Sequence, residues 1–111
     1  MLGATLMIAP NAAASTEGAL ACKGQSWNPA DGGYATLVSG KMIPVRSGPY
    51  AECSFTNVPA GSEFSLDCKD YNDLNNLWYH GYGYANGREV PGWVYSNNIA
   101  TIHDSNGAWC T

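Results

Sequence analysis

The feature that most constrains the fold of this chain is a pair of alternating stretches joined by the dipeptide Asn86-Gly87. Residues 77–84 carry an aromatic side chain or a histidine at every second position, and residues 90–95 follow the dipeptide as a second extended stretch. Alternation with period two is the pattern of a β-strand, and Asn-Gly favours a two-residue hairpin turn. The sequence therefore predicts a β-hairpin, with Gly81 and Gly83 on one face allowing tight coiling.

Further short strands are predicted on both sides of this hairpin. The most regular is residues 63–68, whose alternation puts Phe64, Leu66 and Cys68 on one face. The other predicted strands are residues 34–38, 42–46 and 101–103. Loops or turns are predicted at residues 47–56, 57–61, 69–76 and 97–99 from their Gly, Pro, Asn, Asp and Ser content. No amphipathic helical pattern appears, so the predicted class is all-β.

Two segments of this strand pattern resemble the bacterial SH3-like domain. The first is Val-Arg-Ser-Gly-Pro-Tyr at residues 45–50, and the second is Gly-Trp-Val-Tyr at residues 92–95, followed by an Asn-Ile pair. The likeness covers about residues 43–99. It implies a small SH3-like β-barrel of about five to seven short strands, and a noncatalytic role in cell-wall targeting or peptide binding. Domains of this family commonly accompany a hydrolase, and the stand-alone domain predicted here departs from that pattern.

The N-terminal segment is interpreted as a secretory signal peptide at residues 1–14. Residues 2–9 are apolar, residues 10–11 break the run, and three alanines precede Ser15 as a cleavage site would require. The basic start of such a signal is absent, so we expect a start codon upstream of Met1. Residues 15–40 are predicted to form an arm that lies across the barrel, and residues 41–111 the barrel with a C-terminal tail. Beyond the signal, no segment approaches the ~20 apolar residues of a membrane span, so the predicted product is secreted to the cell envelope or beyond.

The charge of the chain narrows the choice of partners. The formal net charge is −4, with five scattered Lys and Arg residues, which disfavours nucleic acid and anionic lipid as partners.

Four cysteines in a short exported chain indicate two disulfides, for which three pairings exist. From the spacing we expect Cys53 with Cys68 and Cys22 with Cys110. No Cys-x-x-Cys pair is present to support a zinc site.

Candidate catalytic residues are few. Cys53 within Glu-Cys-Ser, with His80 or His103 as a base, has the elements of a thiol enzyme, but an even cysteine count favours disulfides instead. Three aspartates lie at spacing three without the Gly or Glu that would complete a calcium loop: Asp67, Asp70 and Asp73. These carboxylates are interpreted as local backbone caps. We therefore predict no catalytic residue, no metal and no cofactor.

The aromatic content exceeds what a small barrel can enclose, so some rings are expected at the surface. Exposed Tyr and Trp suit stacking on sugars and extended peptides with little dependence on charge. The predicted ligand-binding residues are Tyr50, Trp78, Tyr79, Tyr82, Trp93 and Tyr95. Tyr50 and Tyr79 are predicted to be the most exposed pair, and the alternative is that Trp78, Tyr82 and Trp93 are core.

The sequence thus predicts a noncatalytic, monomeric binding module for cell-wall peptidoglycan or a peptide ligand. One alternative is a small secreted inhibitor or effector that binds a partner protein through the same aromatic surface. A second is a cell-wall hydrolase whose catalytic groups the sequence does not reveal.

Overall fold

The computed structural model describes residues 22–111, and within them the chain is all-β, as predicted. The strands are β1 Tyr34–Leu37, β2 Ile43–Arg46, β3 Phe55–Val58, β4 Glu63–Tyr71, β5 Leu77–Ala85, β6 Arg88–Tyr95 and β7 Ile99–His103. A short 3-10 helix, Ser96–Asn98, joins β6 to β7. The predicted signal segment and the start of the arm, residues 15–21, lie outside the described residues.

The seven strands form one antiparallel sheet in the order β3-β2-β6-β5-β4-β1-β7. Among the described residues, the edge strands β3 and β7 do not pair with each other, so hydrogen bonding does not close the sheet. The predicted β5–β6 hairpin is confirmed, with Ala85 opposite Arg88 across the turn. Asn86 and Gly87 both have positive φ, 54° and 76°, which is the conformation that favours this dipeptide in hairpins.

The strands differ most from the prediction at β3 and at the end of β4. β3 falls within residues predicted as loop and turn, because three of its four side chains are exposed and leave no alternation to detect. Its backbone nonetheless pairs with β2 from Ile43↔Val58 to Arg46↔Phe55. β4 continues to Tyr71, past the predicted end at Cys68, because Lys69 to Tyr71 pair with the start of β5. Pairing with a neighbour overrides the polar character of both segments.

The main hydrophobic core lies on one face of the sheet, here called the inner face. Its buried side chains are Ala35, Leu37, Ile43, Val45, Val58, Phe64, Leu66, Tyr79, Val90 and Val94. Gly81 faces the same side, where a Cβ atom would collide with the carbonyl oxygen of Ser65 and the ring of Phe64. The glycines of β5 therefore allow the sheet to curve tightly around the Phe64 ring.

A β-bulge in β4 places Cys68 on the opposite, outer face. The register shifts from Leu66↔Gly81 to Cys68↔His80, so Asp67 is an extra residue in the strand. Leu66 belongs to the inner core, whereas Cys68 packs on the outer face with Cys110, Trp78 and Trp93. The prediction that Phe64, Leu66 and Cys68 share one face is therefore wrong for Cys68.

Both disulfides exist, but the predicted pairing is wrong. Cys22 is bonded to Cys53 and Cys68 to Cys110, with Cα–Cα distances of 5.6 and 4.9 Å. The C-terminal segment runs beside the end of β4, where the Lys69 N–H donates to Ala108 O and the Cys110 N–H donates to Lys69 O. Cys22 lies against Gly48, in the loop that carries Cys53. Backbone pairing of the tail, which spacing alone does not reveal, decides the connectivity.

The predicted arm, residues 15–40, includes strand β1, Tyr34–Leu37, which pairs within the sheet. Before it, residues 27–31 contact the outer face. The Trp27 ring stacks on His80 with centroids 4.1 Å apart, and the Asn28 side chain donates to the Cys110 carbonyl at 3.0 Å. Farther along, the Asp31 N–H donates to the carbonyl of Asp67 at 2.8 Å. The arm is thus joined to the bulge and to the C-terminal disulfide.

Candidate binding site

Four of the six predicted ligand-binding residues are buried: Tyr50, Trp78, Tyr79 and Trp93. The expectation that Tyr50 and Tyr79 form the most exposed pair is therefore wrong. Tyr50 and Tyr79 are each 8% exposed. Tyr79 lies in the inner core, and burial, with smaller contributions from Asp31 and Tyr71, raises the pKa of its hydroxyl. The Tyr50 hydroxyl donates to Asp73 Oδ1 at 2.7 Å, and burial followed by this hydrogen bond raises its pKa.

Three of the predicted residues come together on the outer face: Trp78, Trp93 and Tyr95. Trp78 and Trp93 pack against the Cys68–Cys110 disulfide, with Tyr95 beside them. Trp78 lies opposite Tyr95 in the β5–β6 ladder, and their ring centroids are 5.2 Å apart. Tyr82, half-buried on the same strand, instead contacts the exposed ring of Tyr84.

Trp78 and Tyr95 form one wall of a cleft of about 230 Å³, which we call the outer-face cleft. Its rim is built by β2, by the β2–β3 loop, by the β4–β5 loop and by the 3-10 helix. The polar residues that line it are Arg46, Glu52, Asn72, Asn76 and Asn98. The cleft therefore combines aromatic faces with amide groups.

Asn72 fixes the two loops that border the outer-face cleft. Its side-chain nitrogen donates to the carbonyl of Pro49, in the β2–β3 loop, at 2.7 Å. Its side-chain oxygen accepts hydrogen bonds from the backbone N–H groups of Leu74 and Asn76, each at 3.0 Å. All of these contacts are buried or part-buried, so the rim is held in one arrangement before any ligand arrives.

Among the buried polar side-chain atoms of residues 22–111, the indole Nε1 of Trp78 has no hydrogen-bond partner. A buried donor without a partner costs about 1–3 kcal/mol.

The charges of the cleft nearly cancel. Arg46 donates from Nη1 to the Cys53 carbonyl at 2.9 Å and lies over the Phe55 ring, with its Cζ atom 4.7 Å from the centroid. Glu52 is the carboxylate on the same rim. One cation that is already engaged and one exposed anion favour a neutral ligand over a highly charged one.

The histidine and aspartates considered as catalytic candidates have structural contacts. His80 Nδ1 lies 3.0 Å from Asp67 Oδ2, beneath Trp27 and against the edge of Trp93. Burial lowers the pKa of His80, and the hydrogen bond and charge of Asp67 oppose this shift. Asp73 accepts from Tyr50, and Asp70 accepts from the Tyr71 N–H at 2.9 Å.

The four cysteines are all in disulfides, so none is available as a thiolate nucleophile. In the part of the chain that is described, no group of three or more His, Cys, Asp or Glu residues is arranged to hold a metal ion. His103 stacks on Tyr34, and its Nε2 lies 2.9 Å from Thr101 Oγ1.

In comparisons with known proteins, no family model, no curated protein and no solved structure matches this chain. Sequence reasoning missed the asparagines of the cleft and the cover that Trp27 provides for His80. The Asn/Asp-rich composition of residues 70–76 was the available signal, and it indicated only a loop.

Proposed function

We propose that this chain is a secreted, noncatalytic SH3-like module that recognises a cell-wall glycan or peptide in the outer-face cleft. Its support is the likeness of residues 45–50 and 92–95 to the SH3-like pattern, together with a small antiparallel sheet held by two disulfides. Two disulfides are compatible with an extracellular location. Within the described residues, no helix is long and apolar enough to cross a membrane.

The observation that carries the proposal is the pair of aromatic rings, Trp78 and Tyr95, that line one cleft together with Asn76 and Asn98. The buried indole N–H of Trp78 has no partner within residues 22–111, and structures rarely leave a buried donor unsatisfied. The adjacent Tyr95 ring offers a stacking face, and the amides of Asn76 and Asn98 offer both donors and acceptors. Sugar hydroxyl groups and peptide carbonyls are the neutral acceptors that fit this set.

The test is co-sedimentation with insoluble peptidoglycan, comparing wild type with Trp78→Phe. This substitution keeps an aromatic ring in the wall and removes the N–H together with the second ring of the indole. We expect the bound fraction to fall with Trp78→Phe and with Tyr95→Ala. The matched control is Tyr84→Ala, which removes an exposed ring that does not line the cleft and should leave binding unchanged.

Salt dependence separates recognition from adsorption. A neutral cleft predicts similar co-sedimentation at about 50 mM and 500 mM salt, because screening weakens only charge-driven contacts. If wild type and Trp78→Phe sediment equally, the cleft is not the binding site. If wild type stays in the supernatant at both salt concentrations, the wall ligand is excluded and the partner-protein alternative takes its place.

The hydrolase alternative is tested by zymography on purified cell wall. The proposal expects no cleared zone, since the cysteines are oxidised and His80 is covered by Trp27. A cleared zone that persists in an Asp67→Asn variant would point to catalytic groups elsewhere. Loss of clearing in that variant would assign catalysis to the His80–Asp67 pair.

A further inference from the structure

A second depression lies where β6 separates from β2, and we call it the hairpin groove. It has a volume of about 590 Å³, within the range of ligand pockets. Ser47, Ser54 and Phe55 line one wall, and Glu89, Val90 and Pro91 line the other. The hairpin groove and the outer-face cleft share no lining residue.

In the hairpin groove, part of one side of β6 is open, although β6 is not an edge strand of the sheet. β6 pairs with β5 along its whole length, from Arg88↔Ala85 to Tyr95↔Trp78. In contrast, β6 pairs with β2 only through Trp93 and Arg46. Between Arg88 and Pro91, β6 therefore has a strand on one side only within the described chain. The two strands are in close contact at Gly92, where a Cβ atom would collide with the Arg46 carbonyl oxygen.

Strand alternation identifies the backbone groups at this edge. In an antiparallel ladder, the N–H and C=O of every second residue point to the same side. Trp93 directs its groups towards Arg46, so Pro91 and Glu89 direct theirs to the same side, into the groove. Pro91 is consistent with this assignment. A proline has no N–H to donate, so in a strand paired on one side its nitrogen must face the unpaired side. Among the described strands, the Glu89 N–H and the Glu89 and Pro91 carbonyls consequently have no partner.

We propose that the hairpin groove binds an extended segment of a partner polypeptide, which adds as a short strand to the open edge of β6. A row of unpaired backbone donors and acceptors is complementary to another peptide backbone, and strand addition is a recurrent mode of peptide recognition. The apolar side chains of Val45, Phe55 and Val90 line the groove and can contact alternate side chains of the added strand. Arg88 and Glu89 carry opposite charges, so the groove does not select a strongly charged segment.

The experiment uses a phage-displayed library of random octapeptides, selected against the full chain. Synthetic copies of the enriched peptides are then measured by fluorescence polarisation against two variants. Glu89→Pro removes the backbone N–H that faces the groove and leaves pairing with β5 intact, as Pro91 already does. Glu89→Ala is the matched control, because it removes the same side chain and keeps the N–H. We expect Glu89→Pro to bind about three- to tenfold more weakly than Glu89→Ala, the effect of one hydrogen bond.

Two further measurements keep the test decisive if Glu89→Pro fails to fold. Peptides N-methylated at every second amide lose one hydrogen-bonding edge, and one of the two methylated registers should no longer bind wild type. The amide hydrogen of Glu89 should also exchange more slowly when the unmodified peptide is present. Trp78 does not line the hairpin groove, so Trp78→Phe should bind these peptides as wild type does.

Several results would overturn the proposal. The proposal is overturned if the enriched peptides bind Glu89→Pro and Glu89→Ala equally or tolerate methylation in both registers. It is also overturned if they protect Trp78 and Tyr95 from exchange instead of Glu89. Failure of the selection to enrich any peptide would also count against it. Concentration-dependent dimerisation in analytical ultracentrifugation that Glu89→Pro abolishes would make a second copy of this chain the occupant. None of these results bears on co-sedimentation with cell wall, so the two proposals fail independently.

Discussion

The two faces of the sheet are stabilised in different ways. The inner face buries mainly aliphatic side chains around Phe64. The outer face has only a small buried cluster, built from the Cys68–Cys110 disulfide and the rings of Trp78 and Trp93. Within residues 22–111, the buried side-chain atoms without a hydrogen-bond partner are Trp78 Nε1 and Asn28 Oδ1, and both belong to residues of that outer layer. The comparison teaches that apolar burial holds the fold from within, whereas the face available for recognition depends on covalent and aromatic contacts.

The largest expected effect comes from emptying the inner core. Phe64→Ala should lower the free energy of unfolding by about 3–5 kcal/mol, because a fully buried ring leaves a cavity. Urea denaturation followed by tryptophan fluorescence measures the change. The matched control is Phe55→Ala, whose ring is 53% exposed and whose removal should cost roughly 0.5 kcal/mol. Equal losses in the two variants would contradict the assignment of Phe64 to the centre of the core.

The second prediction compares the two disulfides. Removing either bridge by paired Cys→Ala substitution should cost about 2–5 kcal/mol. The sequence separations of 31 and 42 residues make the chain-entropy contributions differ by only about 0.3 kcal/mol. Cys68 and Cys110 also pack against Trp78 and Trp93, so their loss should cost more than the loss of Cys22 and Cys53. Equal melting temperatures for the two double variants would show that the outer cluster adds nothing beyond the covalent link.

The third prediction concerns the loops around the outer-face cleft. Tyr50→Phe removes the hydroxyl that donates to Asp73 and should cost about 1 kcal/mol, the usual value for one hydrogen bond. The same change should make the β4–β5 loop amides exchange faster. A variant with unchanged exchange at residues 72–76 would mean that the Asn72 contacts alone hold the rim.

The smallest expected effect is a pH dependence from His80. An unfolded histidine titrates near its usual pKa of about 6.5, and burial lowers the pKa of His80 in the fold. As pH falls below about 6.5 the unfolded state takes up the proton first, so stability decreases until the folded pKa is reached. Melting temperatures between pH 8 and pH 5 should therefore fall more steeply for wild type than for His80→Gln. A wild-type slope shallower than that of the variant would show that Asp67 outweighs burial.

Much of the fold followed from short-range patterns. Alternation and the Asn-Gly turn predicted β5 and β6, and Gly81 and Gly83 marked a face of tight curvature. The same alternation correctly placed Trp78 and Tyr79 on opposite faces of the sheet, but it does not say which face points inward. That choice depends on Phe64, which needs the space above Gly81, a contact between different strands.

The site was less predictable because single residues decide it. One extra residue, Asp67, turns Cys68 to the outer face and aligns it with Cys110, and no composition or spacing signal marks a bulge. Asn72 gave a loop signal, yet its role in joining two loops depends on the Pro49 carbonyl, 23 positions away in sequence. Trp78, Trp93 and Tyr95 were identified from residue type alone, and only the register of β5 and β6 shows that they meet.

The order of the disulfides along the chain has a consequence for synthesis. The first bridge joins Cys22 to Cys53 and the second joins Cys68 to Cys110, so the two loops follow one another without overlapping. A polypeptide that emerges amino end first presents Cys53 to Cys22 before Cys68 and Cys110 have appeared. Oxidation in the order of emergence therefore yields the native connectivity, and an isomerase that exchanges wrong bridges has little to correct.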